Sequence, residues 1–199
     1  DPEDIVNELK YYKQVYNIDG FDLGDLTFIT NRNWFLQFSN LLKGSNLNLQ
    51  WNVQNTRTEA IDEEVVKALT ESGCLHLCLA PDSGSEEHVA EMGKRVDLTH
   101  VTKCIRIFQN YSIDLKINLM MGSPNETHRD IIKTILYGIK LSYLGASSVV
   151  FFHFVPYPGS NFFQLVRDRR QIPEYGEAFD KFLVANIYNN LSSIKSYSI

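Results

Sequence analysis

The sequence predicts an α/β fold built on a parallel sheet, and three observations carry that expectation. Short apolar, β-prone runs alternate along the chain with segments of helical periodicity. Three of those runs end abruptly in small-residue polar loops, Ala80-Pro-Asp-Ser-Gly-Ser85, Met121-Gly-Ser-Pro-Asn-Glu-Thr127 and Pro156-Tyr-Pro-Gly-Ser160. No low-complexity segment or internal linker interrupts the alternation. Folds of this kind assemble their ligand sites from loops at the carboxyl edge of the sheet, so the same pattern predicts where a site lies.

Asp1 and Pro2 read as an N-cap and first helical position, and Ile5, Val6, Leu9, Tyr12, Val15 and Tyr16 recur at helical spacing up to Asn17. Gly20–Leu23 and Leu26–Ile29 then bracket Gly24-Asp25 and read together as a strand with its functional end near Asp25. Trp34–Leu42 suits a helix that stops at Gly44. Leu49–Gln54 alternates as a strand should and ends at Asn55-Thr56-Arg57. A helix over Asp62–Ser72 has Asp62 as its cap and Gly73 as its stop.

The phrase then repeats. Strand Leu75–Ala80 leads through a loop to helix Leu98–Asn110, strand Ile113–Met121 to helix Thr127–Leu144, and strand Ser148–Val155 to the Pro156–Ser160 turn. Parallel pairing through right-handed crossovers follows from the βα repeat. Beyond Ser160 the pattern changes: Asn161–Arg170 and Glu177–Leu191 read as helices whose Phe162, Phe163, Phe179, Phe182 and Tyr188 are available to cover a sheet edge. A βα chain ordinarily opens on a strand, whereas this one opens on a helix with Asp1 already in the cap position. A preceding strand and loop, in a longer protein, are therefore expected.

A chain of 199 residues that is 44% hydrophobic can bury a sizeable core. Its formal charge of −5 and pI of 5.5, with no basic block beyond Arg167, Arg169 and Arg170, argue against nucleic acid as a partner. There is no apolar run of about 18 residues to span a membrane, and the amino terminus lacks the features of a signal peptide, so a cytoplasmic location is expected. Cys74, Cys78 and Cys104 are too few and too irregular for a disulfide framework. Cys74 and Cys78, spaced C-x3-C, fall with His76 on one face of a strand and read as small buried side chains, with no third cysteine to complete a cluster motif. His76, His88, His100, His128 and His153 show no two-histidine-plus-acid spacing, so a zinc or iron site on this chain is not expected.

The loops carry the chemistry. Asp82, Ser83 and Ser85 place one carboxylate and two hydroxyls at a strand end, an inventory suited to ribose hydroxyls or an ammonium group, although an Asx or ST turn uses the same residues. In Met121–Thr127, Gly122 lets a ligand approach the backbone, Pro124 stiffens the turn and Asn125 or Thr127 caps the helix; a well-capped strand-to-helix turn is the plainer alternative. Pro156–Ser160 is a rigid, aromatic-bearing turn and a weak signal alone. Asp25 and Arg57 stand at strand ends, where Arg57 is able to pair with a carboxylate such as Asp82 and a surface role is equally compatible.

Taken in order, Leu23-Gly-Asp25 with Asn31-Arg-Asn-Trp34, Asn55-Thr-Arg57, the helix phrase Val66–Cys74, LAPDSGS with Met92-Gly-Lys94, MGSPNET and PYPGS resemble the radical S-adenosylmethionine (SAM) superfamily, in the branch whose members often carry a cobalamin-binding domain upstream. The resemblance covers roughly residues 1–172. It implies a partial (β/α) TIM-like barrel of parallel strands with its first βα unit missing, over 1–160, and a C-terminal helical extension over 161–199. The missing unit is the one that carries the C-x3-C-x2-C loop for a [4Fe–4S] cluster, and Cys74 and Cys78 do not substitute for it.

The resemblance further implies SAM as a cofactor, bound to a cluster whose ligands lie outside this chain, with cobalamin where an upstream domain supplies it. The partners implied are a small-molecule substrate, the missing N-terminal part of the same protein and an electron donor such as flavodoxin or ferredoxin. In intact members, reductive cleavage of SAM gives a 5′-deoxyadenosyl radical that takes hydrogen from substrate. Asp82 matches a position usually occupied by glutamate near the cofactor. Ser83 and Ser85 fall near the ribose, Met121, Gly122 and Pro124 pass the adenine, and Asp25 and Arg57 face the methionine end. A radical needs a water-poor cavity, so the isolated chain is expected to be inactive. Two other readings compete: a cluster-free degenerate barrel serving as a binding or scaffold module, and a barrel lyase or aldolase. The last lacks a Schiff-base lysine at a strand end, since Lys116 sits in mid-strand.

Overall fold

The computed structural model of the chain describes residues 1–25 and 27–187. Five parallel strands form one sheet in the order β1-β2-β3-β4-β5, that is, in sequence order. They are β1 (Gly20–Leu23), β2 (Gln50–Thr56), β3 (Cys74–Asp82), β4 (Asp114–Met121) and β5 (Ser148–His153). The helices are α1 (Pro2–Tyr16), α2 (Arg32–Gly44), α3 (Glu63–Glu71), α4 (Glu86–Glu91), α5 (Leu98–Phe108), α6 (His128–Tyr143), α7 (Asn161–Asp168) and α8 (Glu177–Ile187), with a 3₁₀ turn over Thr58–Ala60. This is the expected βα repeat. Its helix starts are set by local side chains, as Asp1, Asn31, Asp62 and Asp97 each accept a backbone N–H of their own first turn.

The chain divides into two compact units. The first comprises Asp1–Pro81, Val96–Asn118 and Lys140–Val150. Its core includes an aromatic cluster in which Phe28 meets Trp34, Phe35, Phe38 and Trp51 edge-on at centroid distances of 5.9 Å. Trp51 is 1% exposed, and its indole N–H donates to the Ser72 carbonyl at 2.8 Å. Burying each such aromatic ring contributes roughly 1.5–3 kcal/mol.

That cluster corrects one sequence expectation. The single strand expected over Gly20–Ile29 ends at Leu23, and Thr27 and Phe28 form a bend, while Leu26 lies outside the described residues. The Phe28 N–H donates to the Asn55 carbonyl and the Ile29 N–H to Thr56 Oγ1, so this segment crosses the end of β2 instead of extending β1. Its apolar residues mark a loop tucked into a core, a signal that periodicity alone does not separate from a strand. Smaller corrections follow the same logic. β3 continues through Pro81 to Asp82, β5 stops at His153 short of Val155, and Glu86–Glu91 forms a helix where a loop was expected. The expected last helix is present to Ile187; its continuation to Leu191, with Tyr188, lies outside the described residues.

The second unit comprises Asp82–Arg95, Leu119–Ile139 and the chain from Phe151. Its core gathers Phe154, Phe163, Val166, Ile172 and Phe179. Phe163 and Phe179, expected to be available to cover a sheet edge, are buried in this core with rings 6.1 Å apart at 71°, in one cluster with Phe154 just after β5 and with Met120 of β4 packed against it.

Candidate functional site

The second unit holds the carboxyl ends of three strands, and their loops are tied together by buried polar contacts. After β3, Asp82 adopts φ +65°, a left-handed conformation that costs a non-glycine residue roughly 1 kcal/mol or more. The chain then runs through Ser83, Gly84 and Ser85 into α4. Gly84 lies directly on α6: a Cβ there would fall 2.5 Å from Tyr137 Cβ and 2.7 Å from the Lys133 carbonyl oxygen. Thr134 Oγ1 accepts from the Gly84 N–H at 3.0 Å and pairs with Ser83 Oγ at 2.9 Å. Ser85 Oγ donates to Asp130 at 2.6 Å and also faces Glu87. Both serines are fully buried, so their hydroxyls anchor the loop to α6.

Just past the end of α4, Gly93 takes φ +74°, which lets the Lys94 N–H reach back to the Val89 carbonyl. That reversal delivers the Lys94 ammonium to the Asp82 carboxylate. Asp82 thus finds its cation twelve residues downstream on its own loop, and the partner proposed for it from sequence, Arg57, is an exposed residue of the other unit.

The loop after β4 is organised by a residue that sequence reasoning passed over. Glu126 is fully buried; its Oε2 accepts from the Gly122 N–H at 2.5 Å and the Ser123 N–H at 3.2 Å, while Oε1 is buried with no hydrogen-bond partner. Burial pushes the Glu126 carboxyl above its ordinary value, against the opposing pull of the Gly122 N–H. Gly122 has φ +88° and, with Ser123 and Pro124, is buried. Of the two proposed caps, Thr127 serves: its Oγ1 accepts from the Asp130 N–H while Asp130 accepts from the Thr127 N–H, a reciprocal capping box. Asn125 instead takes φ +68° and accepts from Arg169. The Asp130 carboxyl, although raised by its burial, is held down to about 2 by hydrogen bonds from Ser85 and Thr127.

The Phe154 N–H donates to the Met121 carbonyl at 2.8 Å, joining the ends of β4 and β5. Among these ends lies a cavity of about 610 Å³. Asp82, Glu91, Met92 and Lys94 line it from the β3 side, Met120 from β4, and Phe152, His153, Phe154, Tyr157 and Phe162 from the β5 side. It combines aromatic walls with one ion pair, as small-molecule sites do.

Of the residues singled out in the sequence, Asp82 lines this cavity, while Ser83, Ser85, Met121, Gly122 and Pro124 stand in the same unit. On β4 the lining side chain is Met120, the neighbour of Met121 and hence on the opposite face of the strand. Asp25 and Arg57 are exposed residues of the first unit. Lys94, Glu91, His153 and Phe162 were not identified as site residues. Lys94 was visible only as part of Met92-Gly-Lys94, and a glycine stop that turns the chain back was the available signal.

The thiols are set apart from this chemistry. Cys74, Cys78 and Cys104 are buried and free, and burial pushes them up to about 12, about 11 and about 12. Among the described residues no group of three or more His, Cys, Asp or Glu is placed to hold a metal ion. A [4Fe–4S] cluster therefore does not fit the described side chains of this chain, whereas the cavity's donor set fits a nucleoside: a carboxylate for vicinal hydroxyls beside aromatic faces for a base. Among the described residues, no helix is long and apolar enough to cross a membrane.

The radical SAM superfamily profile matches residues 1–137, and the chain belongs to that superfamily. Members of it use SAM and a [4Fe–4S] cluster. An uncharacterized methyltransferase of Pyrococcus horikoshii is 24% identical over 162 residues, covering 81% of this chain and 34% of the relative. The anaerobic magnesium-protoporphyrin IX monomethyl ester cyclase of Rubrivivax gelatinosus is 19% identical over 176 residues, 88% of this chain and 31% of the cyclase. Among solved structures, the radical SAM methyltransferase TsrM of Kitasatospora setae, with cobalamin and a [4Fe–4S] cluster bound, superposes with a TM-score of 0.75 at 14% identity, over 89% of this chain and 33% of TsrM. That likeness shows a shared fold. The chain spans about a third of the length of the curated relatives it matches.

Proposed function

We propose that this chain is the SAM-holding part of a radical SAM catalytic domain, with the cluster carried by another part of a longer enzyme. The observation that supports the reading best is the cavity at the ends of β3, β4 and β5, with Asp82 held in a left-handed conformation beside Lys94 at its edge. In the family, SAM and the cluster together supply a 5′-deoxyadenosyl radical that abstracts hydrogen from substrate.

The chain's own residues have distinct tasks in this reading. Asp82 accepts from the ribose hydroxyls, and the Lys94 ammonium beside it fixes the orientation of its carboxylate. Ser83 and Ser85 act through the loop: their hydroxyls are spent on Thr134 and Asp130, which fixes the backbone that presents Asp82. Met121, Gly122 and Pro124 form the turn along which the adenine passes, with Phe162 and Tyr157 offering aromatic faces. For Asp25 and Arg57 the role carried over from the resemblance, at the methionine end of SAM, is tested by D25N and R57Q in the same assay. The substrate is a small molecule, an electron donor is required, and cobalamin use rests with an upstream domain.

Equilibrium binding of S-adenosylhomocysteine, measured by calorimetry on the full-length protein, tests the site. D82A is expected to weaken binding by roughly 10- to 100-fold, the cost of a charge-assisted hydrogen bond. Wild-type affinity in D82A overturns the placement. Absence of binding in the wild-type protein returns the chain to the binding or scaffold reading.

A further inference from the structure

His88 is the one buried histidine of the second unit among the described residues, and the site as described does not use it. It is 1% exposed on α4. Its Nε2 lies 2.5 Å from Ser123 Oγ, in the turn whose amides Glu126 holds, and Ser123 is itself fully buried. The Phe162 ring stacks over the imidazole at 6.3 Å and 21°, and Phe162 meets Phe154 edge-on at 5.7 Å. Nδ1 makes no hydrogen bond, standing 3.5 Å from the Glu91 carboxylate.

One buried ring therefore meets the segments that follow all three strands. It sits on α4 after β3, bonds the turn after β4 and stacks with Phe162 in the first turn of α7 after β5. Phe162 and Glu91 line the cavity and His88 does not. An apolar residue of the same size fills such a position at no desolvation cost, whereas an imidazole with one unpartnered nitrogen carries a penalty. Retaining it makes sense where the Ser123 contact sets geometry.

We infer that His88 is a positioning residue for the nucleoside cavity: through Ser123 and Phe162 it fixes the spacing between the turn that passes the base and the aromatic wall facing it. The inference rests on the reading of the cavity as the adenosine site. It assigns the affinity for SAM, and not the integrity of the fold, as the property that His88 controls.

Three variants of the full-length protein test this. H88F keeps the ring and the stacking but removes both nitrogens, S123A removes only the hydroxyl partner, and H88Q restores a donor at the reach of Nε2. Each is measured for S-adenosylhomocysteine affinity by calorimetry and for thermal midpoint. H88F and S123A are expected to weaken binding about tenfold each, the double variant no more than either alone, and H88Q to recover most of it. Thermal midpoints are expected to stay within a few degrees of wild type. Affinity unchanged in S123A and H88F, or affinity lost only in parallel with the midpoint and without rescue by H88Q, overturns the inference while leaving the adenosine reading intact. A wild-type protein that binds no S-adenosylhomocysteine overturns both.

Discussion

Gly84→Ala is the sharpest probe of how the loop after β3 is held. The added Cβ would stand 2.5 Å from Tyr137 Cβ, 2.7 Å from the Lys133 carbonyl oxygen and 2.9 Å from Thr134 Cα. Ordinary carbon contacts lie near 3.5–4.0 Å, so about 1 Å must be found against three atoms at once. Two of them are backbone of α6, which cannot yield singly. The loop must therefore lift from the helix, stretching the Gly84 N–H bond to Thr134 and the Ser83–Thr134 pair. Overpacking of this kind costs about 1–3 kcal/mol, and one weakened buried hydrogen bond adds about 1 kcal/mol, giving roughly 2–4 kcal/mol in all. Urea unfolding of the chain, followed by circular dichroism, reads this directly. Gly138→Ala serves as the comparison, since the atoms nearest its Cβ, Phe151 Cζ at 2.6 Å and Leu119 Cδ1 at 3.1 Å, are side-chain tips and not helix backbone. A G84A loss below about 0.5 kcal/mol, within the range of a neutral surface change, would refute the close-packed loop.

Other expectations follow from the buried polar groups. E126A strands the Gly122 and Ser123 amides and should destabilise by about 2–4 kcal/mol, whereas E126Q keeps an acceptor oxygen. Because burial raises the Glu126 carboxyl, the advantage of wild type over E126Q should be full below the ordinary value of 4.5 and shrink as pH rises from there through the raised value in the folded chain; a constant offset in denaturation at several pH values would contradict this. Asp130 has the opposite sign. Held down to about 2 from an ordinary 3.8, it contributes stability that is present above pH 3.8 and lost as pH falls toward 2, so D130N should flatten the acid limb of the unfolding curve, and an unchanged limb would count against it. With thiols pushed up to about 11 or 12, alkylation of Cys74, Cys78 and Cys104 at pH 8 should run at least about 100-fold slower in the folded chain than in urea; mass spectrometry showing rapid labelling of any one of them in the folded chain would show it exposed.

The sequence was most legible where local chemistry decides structure. Asp1 and Asp62 cap helices as the sequence reads, because a short polar side chain satisfies free N–H groups next to it in sequence; Asn31 and Asp97, which the sequence reading does not name as caps, do the same. The strand-end loops were legible for the same reason. What escaped detection depends on distant partners. Phe28 reads like a strand residue until Trp51 and Phe38 surround it. Ser83 and Ser85 read like ligand donors until Thr134 and Asp130, some fifty and forty-five positions on, take their hydroxyls. Glu126 read as part of a loop phrase, and nothing local distinguishes a buried acceptor of two amides from a solvated glutamate. His88 reads in the sequence as one of five scattered histidines, and nothing local announces its contacts with Ser123 and Phe162.

The family membership is carried by residues 1–137 and the cavity by the loops from Asp82 onward; the catalytic reading joins them. Production of 5′-deoxyadenosine tests that reading most directly. The full-length protein, reconstituted with iron and sulfide without oxygen and given SAM and a strong reductant, is assayed by chromatography with D82A alongside. The account predicts 5′-deoxyadenosine in step with methionine from wild type and a loss of about tenfold or more in D82A at limiting SAM. A fully loaded cluster that yields no 5′-deoxyadenosine, or equal yield from D82A, would contradict it.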